Sequence, residues 1–134
     1  MNKFDFTFIL LKYRGKILLT AKENNLIDLK NFLWNFIGGV KEQNKSELET
    51  IIKLVENETG IKLPSAHFLS RQRIKDITEY FYFAELSDDN VNNMERLEGR
   101  LISFYSFSEI KKLLLTDSTK LFISKHSDII EQRS

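Results

Sequence analysis

The apolar positions change their period along the chain, and each period predicts an element. Residues Asp5–Tyr13, DFTFILLKY, are dense in strand formers, and ILLTA, Ile17–Ala21, resumes the pattern after Arg14-Gly15-Lys16. Two such runs around a glycine-bearing turn predict a hairpin. KENNLIDLKN is polar and reads as a loop, and FLWNFI, Phe32–Ile37, is a short apolar segment that leads into Gly38-Gly39.

The period then lengthens. Leu48, Ile51, Ile52 and Val55 fall at i, i+3, i+4 and i+7, the spacing of one buried helical face. Ser46 and Glu49 have the spacing of a capping box, and Gly60 is placed to end the helix in a left-handed conformation. Glu49 and Lys53 form an i,i+4 pair in the favourable order. Beyond Pro64, HFLSRQRI (His67–Ile74) and EYFYFAEL (Glu79–Leu86) read as strands joined by Lys75-Asp76-Ile77-Thr78. SDDNVNN reads as a loop and RLISFYSF, Arg100–Phe107, as a further strand. Ser108 is expected to cap a short helix through Leu115, and Asp117 or Ser118 a last one through Ile130. Strands on both sides of a central helix, with more helix at the end, predict an α/β fold with a mixed sheet between helices.

The 134 residues suit one domain over 1–134, with 42% hydrophobic and 29% charged residues. The 20 basic and 19 acidic residues leave a net charge near +1. Proteins that ride on a nucleic-acid backbone carry a basic excess, so no nucleic-acid polymer is expected as partner. A small anionic ligand needs only local charge. The absence of cysteine excludes disulfides, thiolate metal sites and a cysteine nucleophile, and it fits a reducing, cytoplasmic setting. The first apolar run is too short to span a membrane, is interrupted by charged residues and reads as a strand of the mature domain.

One stretch carries candidate chemistry. GGVKEQNKSELETIIKLVENETGIKL, Gly38–Leu63, resembles the Nudix box, G-x5-E-x7-R-E-U-x-E-E-x-G-U with U aliphatic. Set on Gly60, the match runs over 39–61: Gly39 opens it, Lys53 stands for the arginine, Val55 and Ile61 fill aliphatic positions, and Glu58 matches the last glutamate. Upstream, Trp34-Asn35-Phe36-Ile37-Gly38-Gly39 is similar to the family's W-x-x-P-G-G. Downstream, LEGRLISFYSFSEIKKL resembles the end of MutT-like members. The resemblance implies a Nudix α/β/α sandwich with a mixed β-sheet. It also implies hydrolysis of a nucleoside di- or triphosphate derivative with Mg²⁺ or Mn²⁺ held by glutamates. A small nucleotide-type ligand is the implied partner, and a homodimer is open because Nudix domains often dimerise.

The box departs from the family where metal is held: Lys45, Leu54 and Asn57 replace three glutamates. At about 100° per residue, Glu47, Ile51, Leu54 and Glu58 share one helical line, so an apolar side chain precedes Glu58 by one turn. Mg²⁺ needs oxygen ligands but often takes only one or two from carboxylates. The resemblance then implies a thin metal set of Glu58, the Gly38 carbonyl and Glu98, with Glu58 and Glu98 as the catalytic acids. Gly39, Lys45 and Lys53 are the candidates for holding phosphate, lysine acting as a point charge. Three functions stay open. One is a weakened, divergent Nudix hydrolase, and another is a non-catalytic Nudix module that binds a nucleotide or a protein. The third is a glycosyl-nucleotide hydrolase like those acting on GDP-mannose, which share the leucine and the glutamate but use a histidine base. Only His67 and His126 are available for that role.

Overall fold

The computed structural model describes residues 5–22, 32–95 and 100–131. In chain order the elements are β1 (Asp5–Tyr13), β2 (Lys16–Lys22), β3 (Leu33–Trp34), β4 (Ile37–Val40), α1 (Glu47–Thr59), β5 (His67–Ile74) and β6 (Ile77–Glu85). They continue as α2 (Asp88–Asn92), β7 (Arg100–Tyr105), α3 (Phe107–Ile110), β8 (Leu114–Leu115), α4 (Asp117–Lys125) and α5 (Ser127–Glu131). Two compact units divide them. The first takes the described residues of 1–11 and 37–95, the second those of 12–36 and 96–134, so β1 passes from one into the other. Antiparallel pairs together with the parallel pair of β3 and β8 make this a mixed α/β fold.

In the first unit β4 lies antiparallel on β1, pairing Thr7 with Gly39 and Phe8 with Gly38. On β1, Ile9, Leu10 and Leu11 are buried in succession, as expected of a strand covered on both faces. Helix α1 forms where its caps direct. Ser46 Oγ accepts from the Glu49 N–H, Glu49 Oε1 accepts from the Ser46 N–H, and Gly60 ends the helix at φ 79°. Ile51 and Val55 are buried as the periodicity predicts, while Leu48 and Ile52 are half-buried and Thr50, Glu58 and Thr59 join the inner face. β5 and β6 form a hairpin that pairs Ile74 with Ile77 across Lys75-Asp76, with Lys75 at φ 56°. The predicted four-residue connection is therefore a two-residue turn, because a left-handed first position lets the ladder close at once. SDDNVNN, expected as a loop, forms α2, since Asn90 completes the box with Ser87 in place of a glutamate.

In the second unit β1 ends in a hairpin, Tyr13 pairing with Lys16 over Arg14 and Gly15, both at positive φ. β2 pairs along its length with β7. Ile17–Ala21 are all buried. Three predicted helix boundaries differ. Ser106, not Ser108, caps α3, because Ser106 and Glu109 exchange the reciprocal pair of bonds. That helix ends at Ile110, and Leu114–Leu115 instead pair in parallel with Leu33–Trp34. Thr116 caps α4, its Oγ1 accepting from the Thr119 N–H, and the single predicted terminal helix is broken at His126. Lys12, 3% exposed, sends Nζ to the Ile129 carbonyl at 3.0 Å; a cation there complements the carbonyl end of α5.

Candidate functional site

The site region is built on β4, the loop after it and α1. The loop is fixed from both sides. The Lys41 N–H extends the β1 ladder to the Asp5 carbonyl, Thr7 Oγ1 donates to the Glu47 carbonyl, and the Glu42 N–H donates to Thr50 Oγ1. Thr50 Oγ1 in turn donates to the Ser46 carbonyl at 2.9 Å, which ties the loop to the first helical turn.

Gly38 and Gly39 have different reasons to lack a side chain. A Cβ at Gly38 would meet the Phe8 ring and stand 2.6 Å from the Thr7 carbonyl oxygen on the paired strand. At Gly39 the nearest atom would be Leu54 Cδ1 at 3.2 Å, the end of a flexible side chain. Leu54 therefore lies over Gly39 and brings methyl groups to the position where the Nudix pattern places a carboxylate.

The predicted phosphate ligands Lys45 and Lys53 both turn to one acid that the sequence reading did not single out. Lys45 Nζ is 3.1 Å from Glu42 Oε2, and Lys53 Nζ is 3.7 Å from Glu42 Oε1. The hydrogen bond from Lys45, then its charge and that of Lys53, hold the Glu42 carboxyl below its ordinary 4.5. The signal was present as the i,i+3 spacing of Glu42 and Lys45, but Lys53 reaches Glu42 only once the loop folds back on the helix. The cluster carries one net positive charge, less than two open lysines would offer.

Glu58 is 7% exposed, in the last turn of α1. A carboxylate there is opposed by the helix dipole and by desolvation. Thr59 next to it accepts the Glu95 N–H on its carbonyl at 2.7 Å, and Glu95 covers Gly60. The other predicted acid, Glu98, lies outside the described residues. Among the described residues no three of His, Cys, Asp and Glu come together to hold a metal ion. With Leu54 on Gly39 and Asn57 exposed, the described donor set does not fit the multi-carboxylate metal cluster that the Nudix pattern implies.

Neither histidine lies on the loop and helix just described. His67 opens β5, exposed and paired with Phe83, and His126 ends α4 with its ring 4.6 Å from that of Phe122. In the second unit Arg14, Lys16, Phe107 and Glu131 are among the residues lining an open cavity of about 750 Å³, and none of its lining residues was a candidate from the sequence. No described helix is long and apolar enough to cross a membrane.

The cap of α1 has a pH consequence. Hydrogen bonds from the Ser46 N–H and hydroxyl lower the Glu49 carboxyl below 4.5. A carboxyl depressed in the folded state adds stability that is complete above its unfolded pKa and lost as pH falls through the folded value. Glu49 and Glu42 should both make the melting temperature drop as pH is lowered from 4.5. Glu49→Gln keeps an acceptor for the cap but does not titrate. Thermal melts at stepped pH should show a shallower acid loss for this variant, and an unchanged slope would refute the assignment.

No family model matches the sequence, and no curated protein matches it in sequence. Solved structures do match in fold. A MutT protein from Methanosarcina mazei Go1 aligns with a TM-score of 0.75 at 17% identity, over 98% of this chain and 99% of that one. The Nudix domain of Shewanella oneidensis NrtR, complexed with ADP ribose, aligns at 0.73 and 14%, over 97% and 90%. A bifunctional NMN adenylyltransferase/ADP ribose pyrophosphatase from Francisella tularensis, complexed with AMP and a manganese ion, aligns at 0.74 and 15%, over 96% of this chain and 42% of that one. The chain has the Nudix fold.

Proposed function

We propose that the protein is a Nudix-fold module that binds a nucleoside di- or triphosphate derivative without efficient metal-dependent hydrolysis. The observation that carries this reading is Leu54 against Gly39. The side chain that should bring a carboxylate to the glycine strand brings methyl groups instead, and methyls coordinate nothing. The Lys45–Glu42–Lys53 cluster supports an anionic ligand, because an arriving phosphate can take over from Glu42 the contacts of two ammonium groups. ADP ribose, named for one structure of the same fold, belongs to this chemical class, and AMP, named for another, is a nucleotide with a single phosphate.

A second reading is a divergent hydrolase with slow turnover, in which Glu58 and Glu98 act as the acids and the Gly38 carbonyl helps hold one Mg²⁺ or Mn²⁺. It is favoured by Glu58 itself, a carboxylate buried in the last turn of α1, where the helix dipole opposes a negative charge. Calorimetry and turnover measurements on one nucleotide panel separate the two. Metal-independent binding in the micromolar range without product supports the module. Phosphate release that needs Mg²⁺ or Mn²⁺ and disappears in Glu58→Gln supports the hydrolase and overturns the first reading.

A further inference from the structure

The β5–β6 hairpin carries polar groups that the box does not account for. Its register sets Arg71 opposite Tyr80 and Arg73 opposite Thr78. Side chains alternate between the two faces of a strand, so these four share one face. Gln72 and Glu79 occupy the other, both buried, with Gln72 Nε2 donating to Glu79 Oε1 at 2.6 Å. That bond spans the hairpin behind the arginines and fixes the register that sets them side by side.

The hairpin borders an open cavity of about 370 Å³ lined by Arg71, Gln72, Arg73, Thr78 and Tyr80. Both arginines are exposed, and among the described residues neither lies within ion-pair distance of a carboxylate. Arg73 Nε donates to the Lys75 carbonyl at 3.2 Å. This bond orients its guanidinium and leaves the terminal N–H groups for another partner. Two residues along a strand span roughly 7 Å, a gap that two guanidinium groups can close around one diphosphate. The planar fork of arginine suits phosphate oxygens, and the hydroxyls of Thr78 and Tyr80 stand across from it. Two like charges held side by side with no acid between them repel each other, and a bound anion relieves that.

We propose that this hairpin face is a binding site for a phosphorylated small molecule, with Arg71 and Arg73 clamping its diphosphate. The site shares no residue with the box and does not depend on the function proposed above.

The test is calorimetric titration of the full chain with inorganic pyrophosphate in the absence of divalent metal. The expected result is saturable binding that Arg71→Ala and Arg73→Ala each weaken by roughly tenfold, the size of a charge-assisted contact. Arg71→Lys with Arg73→Lys keeps the charge but loses the fork and should fall between wild type and the alanine variants. Lys125→Ala, an exposed basic residue on α4, should bind as wild type does. Thermal melts confirm that each variant is folded. No saturable binding by the wild type, or equal binding by the double alanine variant, overturns the proposal. Tighter, arginine-dependent capture of a single-stranded oligonucleotide would overturn the small-molecule assignment.

Discussion

The Leu54→Glu, Asn57→Glu double variant should bind Mn²⁺ more tightly than wild type and should gain pyrophosphohydrolase activity. Loss of groups that only orient metal ligands costs about 10–100-fold in affinity, so restoring ligands themselves should return at least roughly tenfold. The frame needed for the gain is present. α1 is capped at both ends, β4 is paired to β1, and the Leu54 methyls already reach Gly39. Leu54 is half-buried, so replacing it should lower stability by about 1–2 kcal/mol, which thermal melts will register separately. Leu54→Gln with Asn57→Gln is the control, close in shape but without charge, and should gain neither metal nor rate. A glutamate pair that behaves like the glutamine pair would mean that Leu54 does not occupy a lost ligand position.

Gly38→Ala should be the more damaging of the two glycine substitutions. The new Cβ would stand 2.6 Å from the Thr7 carbonyl oxygen, which belongs to the backbone of the paired strand and cannot rotate away. Overpacking of this kind costs about 1–3 kcal/mol, and against a backbone atom the upper end applies, a fall in melting temperature of roughly 5–15 °C. Gly39→Ala meets only Leu54 Cδ1 at 3.2 Å, and a change of rotamer relieves it for under about 1 kcal/mol. Circular dichroism melts of the two variants side by side test the ranking. Equal melting temperatures would show that β4 shifts away from β1 to make room.

The parts of the fold set by short-range rules were legible in the sequence. β1 has its predicted bounds, and Ser46 and Gly60 cap α1 as the spacing indicates, because each depends on residues within a few positions. The same rule applies to Ser106 with Glu109, which repeats the Ser46–Glu49 spacing and sets the cap two residues before Ser108. Other features depend on distant partners. Leu113–Leu115 looks helical until β3 is there to pair with it, and α4 stops at Lys125 without a glycine or proline to mark the place. In the candidate site, the position of Glu58 on the helix could be read from the pattern, whereas the place of Gly38 and Gly39 in a strand depends on their pairing with Phe8 and Thr7 of β1. The contact of Leu54 with Gly39 and the capture of Lys45 and Lys53 by Glu42 could not, since both arise from the loop closing onto the helix.

The parallel pair β3–β8 also bears on the order in which the second unit assembles. Its partners lie about 80 residues apart in the chain, and loop-closure entropy must be met before so short a ladder returns anything. The β1–β2 hairpin closes over two residues and meets no such barrier. Strand β3 contains the chain's single tryptophan, Trp34, 9% exposed and with its ring 5.1 Å from that of Tyr105. Its fluorescence is therefore a built-in clock for the late closure, while far-ultraviolet circular dichroism follows the early hairpin.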